Sequence, residues 1–355
     1  MAFKRILIIN IFGIGDVLFT TPLLASIKQA RPDVFIGYLA NRRTAPLLEE
    51  NPHVDKVHVY ERDDFQRIYQ RSPWAFWRQG KAFLRTIKDE RYDLVIDLSL
   101  NTSFSFLMAL IGIPQRVGFD FKNRSPFLTR KIPLDGYEGK HVVEYYLDIL
   151  PAIGIEPEVR QMALSLQNKD IAWAEKFLLQ KKKSKGPLIA VIPGGGASWG
   201  KDAAYKRWGA SKFAKLADNL IEKYSCQIIL LGDENETGLC SDIASRMRHE
   251  VLTVCGLTTL GQMAALLQRC DLVVLNDGGP LHVAVAVGAR TVSIFGPVDD
   301  KVYGPYPSDG HKVASSPVAC RPCYRQFRRA ACDHISCLER IEVTDVLRKV
   351  EEILK

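Results

Sequence analysis

Short apolar runs alternate with longer amphipathic stretches along the chain, and the alternation restarts midway. In the first half the runs lie at 5–9, 34–39, 56–60, 94–98 and 116–118, separated by helix-patterned segments at 17–29, 45–50, 74–89, 103–111 and 140–150. In the second half the runs lie at 188–192, 227–231, 252–254, 272–275 and 291–295, with helical patterns at 212–224, 236–246, 260–268 and 280–287. Runs this short and this rich in Val, Ile and Leu read as strands buried on both faces, and the helices between them as parallel crossovers. Two such series predict two doubly wound α/β domains, the first over 1–167 and the second over 168–342, with 343–355 a terminal helix packing back toward the first. The join is expected in the polar stretch after Leu166 or at KKKSKGP, 181–187, read as a helix end and linker.

Length agrees, since 355 residues exceed what one hydrophobic core of roughly 250–300 residues serves. A composition of 47% hydrophobic and 25% charged residues is that of an ordinary globular protein. No window is apolar for long enough to predict a spanning helix. The apolar stretch 6–14 carries Asn10 and Gly13 and meets Asp16, so it reads as a buried first strand rather than a signal peptide, and a cytoplasmic protein is expected. The formal charge of +8 suits an anionic ligand, an anionic membrane surface or nucleic acid. No zinc-finger, RRM or basic-zipper pattern supports the last of these.

Three strand ends lead into glycine turns of different chemistry. In LIAVIPGGGASWGKDAAYKRW, the glycines Gly194, Gly195 and Gly196 let backbone approach a ligand, and Lys201, Lys206 and Arg207 supply cations for phosphate. No Gly-Lys-Ser/Thr follows, so this is not a Walker A loop. In DLVVLNDGGPLHVAVAVGARTVSIFGP, Asp277 stands at the strand end, Gly278 and Gly279 make the turn, and Pro280 marks a helix start whose N–H groups could hold a diphosphate. His282 alone among apolar residues reads as a packing or capping residue. In IFGIGDVLFTTPLLASI the turn ends in Asp16, an anion where a pyrophosphate would otherwise sit. Asp16 reads either as a helix cap or as a base. Two turns suited to a diphosphate in one domain, and a lone acid in the other, favour the base.

With these residues the chain resembles glycosyltransferase family nine, the ADP-heptose:lipopolysaccharide heptosyltransferases. The resemblance rests on GIGDVLFTTPLLASIK, KRWGASKFAKLA, LLGDENE and NDGGPLHVAVAVGARTVSIFGPVDDKVYGPYP. It implies a GT-B fold, two Rossmann-like domains facing an interdomain cleft. It also implies an inverting, metal-independent transfer of heptose from ADP-heptose to a hydroxyl of the lipopolysaccharide inner core. Carried over by motif, Asp16 is the general base, Lys206 the phosphate-binding lysine and Glu236 the ribose-binding acid. Asp277, Gly279 and His282 match the Asp-Ser/Thr-Gly-x-x-His signature around diphosphate and sugar. Gly195 joins the donor loop, Gly256 and Leu257 lie where the adenine is expected, and Gly15 faces the acceptor. Gly278 departs from the usual Ser/Thr and removes a hydroxyl donor. The glycine loop before Lys206 is also long, and both departures bear on which donor is used.

The segment QRSPWAFWRQGKAFLRTIKDER sets Arg78, Lys81, Arg85 and Lys88 on one helical stripe, with Trp and Phe near its start. It suits an anionic lipid-linked saccharide or an anionic membrane surface, and equally an ordinary surface helix. The resemblance, whose acceptor is anionic, favours the former and places the protein at the inner face of the inner membrane. All eight cysteines follow residue 225. Cys226, Cys240, Cys255 and Cys270 read as buried apolar residues. Cys320, Cys323, Cys332 and Cys337 form C-x₂-C-x₈-C-x₄-C, a spacing that suits a structural zinc and equally unligated thiols. The competing enzyme readings are a nucleotide-sugar epimerase of the same fold and a family member using another donor sugar.

Overall fold

The computed structural model describes residues 3–195 and 197–355, leaving aside the side chains at 197, 198 and 201, so Gly196 of the glycine loop lies outside the described residues. The chain divides into two compact units, Met1–Tyr137 with Val143–Arg160, and Glu138–Val142 with Gln161–Lys355.

The first unit holds β1 (Arg5–Ile9), β2 (Phe35–Ala40), β3 (Lys56–Val59), β4 (Leu94–Asp97), β5 (Gln115–Phe121) and β6 (Arg130–Leu134). They form one sheet in the order β3-β2-β1-β4-β5-β6, every pairing parallel. The second unit holds β7 (Leu188–Ile192), β8 (Gln227–Leu230), β9 (Leu252–Thr253), β10 (Leu272–Asn276), β11 (Thr291–Phe295) and β12 (His311–Ser315). Its order, β12-β11-β10-β7-β8-β9, is the same doubly wound arrangement, again parallel throughout. Central strands are sealed on both faces: Ile6 to Ile9 and Val273 to Leu275 are fully buried. This is why they read as unbroken apolar runs.

Two of the four edge strands, β6 and β12, escape the sequence pattern. Each has a single neighbour, and most of its residues are half-buried or exposed, Arg130, Lys131, His311 and Lys312 among them. The expected helix at 17–29 is two helices, Ile14–Leu18 and Thr21–Ala30. Pro22 cannot donate into a continuous helix, and the Thr20 and Thr21 hydroxyls instead donate to the carbonyls of Val17 (2.6 Å) and Leu18 (2.8 Å). The polar stretch after Leu166 is not a linker. Asn168–Lys181 is a helix, and the compact units divide at Arg160 instead. The terminal helix, Val343–Ile353, belongs to the second unit. Its apolar face, Val343, Val346, Val350 and Ile353, belongs to the second unit's core with Leu216, Leu220, Val292 and Ile294.

At the end of β4, Asp97 is almost fully buried and accepts hydrogen bonds from the Ser99 amide (2.9 Å) and hydroxyl (2.6 Å). Burial outweighs those bonds and pushes its carboxyl from 3.8 up to about 6. The native state therefore holds this proton more tightly than the unfolded chain, and stability falls as pH rises from the unfolded value through about 6. Asp97→Asn keeps an acceptor for Ser99 and removes the ionisation. The variant should gain up to about 3 kcal/mol over the parent near pH 7.5 and nothing near pH 4, measured as the unfolding midpoint at the two pH values.

Candidate functional site

In a doubly wound sheet the strand order reverses at one crevice, where ligands gather beyond the carboxyl ends. In the second unit that point lies between β7 and β10, and both strands end in the glycine turns singled out above. The fully buried Asn276 closes the crevice from below. Its side-chain amide donates to the Pro193 carbonyl (2.6 Å), and its side-chain oxygen accepts from the Trp208 amide (3.1 Å). Three segments distant in sequence are thereby held together: the glycine loop, the KRW segment and the Asp277–Gly279 turn.

Close approach dictates the glycines here. A Cβ on Gly278 would lie 2.4 Å from the Gly195 carbonyl oxygen, so the missing Ser/Thr of the family signature reflects contact between two backbones. Gly195 packs against Lys206 and the Asp277 carbonyl, where its own Cβ would sit 3.3 and 3.6 Å away. Lys206 Nζ pairs with Asp277 Oδ2 at 2.7 Å with both side chains below one-tenth exposed, and Trp199 covers the ammonium 4.4 Å from its ring centroid. A buried ion pair gains little over apolar packing, so its presence at a strand end points to a use beyond stability. Gly279 opens the helix Gly279–Ala286 with Pro280 in its first turn, so a helix N-terminus follows directly on the end of β10.

His282 is buried in that helix. Its imidazole is held well below its usual range by burial first, then by nearby His141 and Lys206, and so stays neutral. His141 comes from Glu138–Val142, which joins the second unit, and its Nε2 lies 3.1 Å from the Gly304 carbonyl while the ring stacks on Tyr306.

Glu236 lies in a slot made by two absent side chains. A Cβ on Gly194 would fall 1.7 Å from its Oε1, and one on Gly232 2.9 Å from its Oε2. The buried carboxylate accepts from the Asp233 amide (3.1 Å), with Arg207 at 3.8 Å. Gly256 takes the left-handed conformation (φ 72°) that carries the chain past Glu234, and Leu257 beside it is 72% exposed.

In the first unit the corresponding reversal lies between β1 and β4, and an asparagine again stands at the strand end. Buried Asn10 donates to the Asp16 carbonyl (3.0 Å) and accepts from the Phe12 amide (3.1 Å). Asn41 adds a bond from its side chain to the Ile11 carbonyl (2.9 Å). Asp16, the third residue of the short helix Ile14–Leu18, caps its start, its Oδ2 accepting from the Gly13 amide at 3.1 Å. Gly15 lies within the same turn, and an Arg43 guanidinium nitrogen would be 3.8 Å from a Cβ on Gly13. Beneath are Tyr38, Tyr137 and Tyr146, whose hydroxyls are pushed up by burial above all, with the Asp16 charge adding to the shift in each.

Arg78, Lys81 and Arg85 occupy the exposed helix Pro73–Lys88 of the first unit. Cys226, Cys240, Cys255 and Cys270 are buried, as read from sequence. Cys320, Cys323, Cys332 and Cys337 line one cavity with His334 and Tyr205. Among the described residues, however, no three His, Cys, Asp or Glu side chains are placed to hold a metal ion. This cysteine loop is strapped to β11 through the Pro297 carbonyl, which accepts from Cys323 (3.0 Å) and Tyr324 (3.1 Å). Tyr324 then packs on Trp199, the ring over Lys206. Asn276, Trp199, Tyr324 and His141 are members of the site that sequence reading missed. The only signal was the NDGG run for Asn276, and none existed for the other three.

A family model for glycosyltransferase family 9 (heptosyltransferase) matches residues 81–333. The chain is 25% identical over 349 residues to lipooligosaccharide heptosyltransferase 2 of Campylobacter jejuni, covering 96% of each. It is 25% identical over 301 residues to lipopolysaccharide heptosyltransferase 3 of Escherichia coli, covering 82% of this chain and 83% of that one. In fold it is similar to a family 9 glycosyl transferase from Veillonella parvula, with TM-score 0.81, 23% identity and coverage of 99% and 97%. It is also similar to ADP-heptose lipopolysaccharide heptosyltransferase II of Escherichia coli, with TM-score 0.76, 21% identity and coverage of 99% and 98%. The fold is thus the pair of Rossmann-like domains called GT-B.

Asn276→Ala would strand a buried carbonyl and a buried amide together. The variant should lose about 2–4 kcal/mol of stability, read as a lowered denaturant midpoint of the second unit.

Proposed function

The chain belongs to glycosyltransferase family 9 (heptosyltransferase), and on that premise we propose that it moves a heptose from ADP-heptose to a hydroxyl of the lipopolysaccharide inner core with inversion at the anomeric carbon. The observation that carries the reading is the contrast between the two strand-end turns. One sets a buried lysine beside a helix N-terminus, and the other presents an acid.

The donor is assigned to the second unit. Lys206 and the N–H groups at Gly278 and Gly279 would take the diphosphate, Asp277 and neutral His282 the sugar side, and Glu236 the ribose hydroxyls. Gly195 gives backbone access, and the turn at Gly256 and Leu257 would receive the adenine. Asp16 is assigned as general base, with Gly15 beside the incoming hydroxyl and Arg78, Lys81 and Arg85 toward the anionic acceptor.

The step is an in-line displacement. Asp16 accepts the proton of the acceptor hydroxyl, whose oxygen bonds to the anomeric carbon. The bond from that carbon to the β-phosphate oxygen breaks with its electron pair, and ADP leaves. Lys206 and the helix N–H groups stabilise the charge growing on the departing phosphate. The capping bond from Gly13 orients the carboxylate without using its proton-accepting capacity.

Asp16→Asn should lower transfer by about 10²–10⁴-fold while ADP affinity, measured by calorimetry, stays within about twofold. Lys206→Ala should weaken ADP binding by about tenfold or more. Transfer is followed by mass spectrometry of a heptose-free inner-core acceptor. An Asp16→Asn enzyme with parental turnover would remove the base assignment, and a preference for another nucleotide sugar would remove the donor assignment.

A further inference from the structure

Between β3 and β4 the first unit sends out two helices, Arg62–Arg71 and Pro73–Lys88, joined by Ser72 alone. The Ser72 hydroxyl caps the second helix by accepting from the Ala75 amide (3.2 Å), and Pro73 follows at the position where a missing N–H is harmless. The base of this hairpin is anchored. Phe65 stacks on Tyr60 at 5.1 Å and meets Phe83 at 5.9 Å, while Phe83, Leu84 and Ile87 join the core around Val95 and Phe104. Its tip is not anchored: the first helix has no buried residue, and the second has only Ile87.

The tip is nevertheless aromatic. Tyr69, Trp74, Phe76 and Trp77 supply four of the nine exposed large hydrophobic residues among the described residues, with Trp74 at 65% and Trp77 at 62% exposure. A monomer gains nothing by holding two indoles in water, so such a patch marks a surface that meets something else. The charge around it has one sign. From Phe65 to Lys88 there are six cations and no carboxylate. Asp64, at the base, is taken up by Arg42 and Arg67, and Arg85 has a distant partner in Asp89 at 3.8 Å. Two of the remaining cations lie over the exposed indoles, Arg78 5.1 Å from the Trp74 ring and Lys81 5.2 Å from the Trp77 ring.

We propose that this hairpin docks the protein on the surface of an anionic phospholipid bilayer, with Tyr69, Trp74 and Trp77 at headgroup depth and Arg71, Arg78 and Lys81 on the lipid phosphates. Indole and phenol rings prefer that boundary, and cations beside them keep their charge in the polar layer while their stems cover apolar surface. Attraction to an anionic leaflet grows with each cation near the surface. A second copy of the same face is opposed by its own like charge. No described helix is long and apolar enough to cross a membrane, so the contact is shallow. The inference stands apart from the donor and base assignments. It adds to the acceptor reading by giving Arg78 and Lys81 the bilayer that carries the acceptor.

The test is flotation of the full chain with vesicles of phosphatidylcholine alone or containing roughly one-third phosphatidylglycerol, with indole emission recorded in parallel. Binding is expected only with the anionic vesicles, with a blue-shifted emission, and should weaken strongly between ~0.1 and ~1 M salt. Trp74→Ala with Trp77→Ala should lower the vesicle affinity by about tenfold or more, with an unchanged thermal midpoint because both rings are exposed. Arg71→Glu should weaken binding to anionic vesicles in the same direction. Failure of the parent to float with anionic vesicles, or parental affinity in the double tryptophan variant at an intact thermal midpoint, overturns the proposal. So does preferential capture of a soluble polyanion such as heparin by the same residues. None of these readouts depends on transfer activity, so a failed donor or base assignment leaves the result interpretable.

Discussion

The second unit's chemistry depends on the two hydrogen bonds of one buried carboxamide. Asn276 has its amide on the Pro193 carbonyl and its oxygen on the Trp208 amide, and these contacts decide how near the glycine loop comes to the strand-end turn. With that spacing set, Gly195 and Gly278 meet backbone to backbone, and Lys206 lies against Asp277 rather than in solvent. A neutral polar side chain suits the task. It satisfies a donor and an acceptor at once in a crevice where a charge would need its own partner.

The first unit repeats the device with the opposite electrostatic outcome. Asn10 also follows a central strand, and it also joins the strand end to the turn that follows. There the turn is short and the helix it begins has only five residues, too few for a strong terminal dipole. A carboxylate can therefore stand at this position without a phosphate contending for it. Its charge is felt by the buried hydroxyls of Tyr38, Tyr137 and Tyr146, and the Gly13 amide donates to its Oδ2. One topology, used twice, separates an anion-presenting turn from a cation-presenting one.

Much of this was legible in the sequence because buried parallel strands must be apolar on both faces, and glycine turns announce close backbone approach. β1, β7 and β11 begin and end where the apolar runs do. What was hidden has a common cause: its determinant lies far away along the chain. The edge strands β6 and β12 are strands because a neighbour pairs with them, not because of their own pattern. The helix Asn168–Lys181 looked like a linker since only Asp170 and Ala174 of it are buried. At the site, Lys206 and Asp277 could be suspected from motif residues. Tyr324 and His141 could not, because folding brings them in from other segments, and Trp199, though near along the chain, comes to lie over the lysine only through the fold of that loop.

The contact between Gly278 and Gly195 couples two positions more than eighty residues apart. The fitness of a side chain at 278 is a property of the loop at 193–195, so the two positions are epistatic. A hydroxyl cannot be introduced at 278 first and accommodated later, because the carbonyl of Gly195 already occupies the volume. A route toward a serine-bearing turn must begin by relaxing the glycine loop, whose Gly195 packs against Lys206.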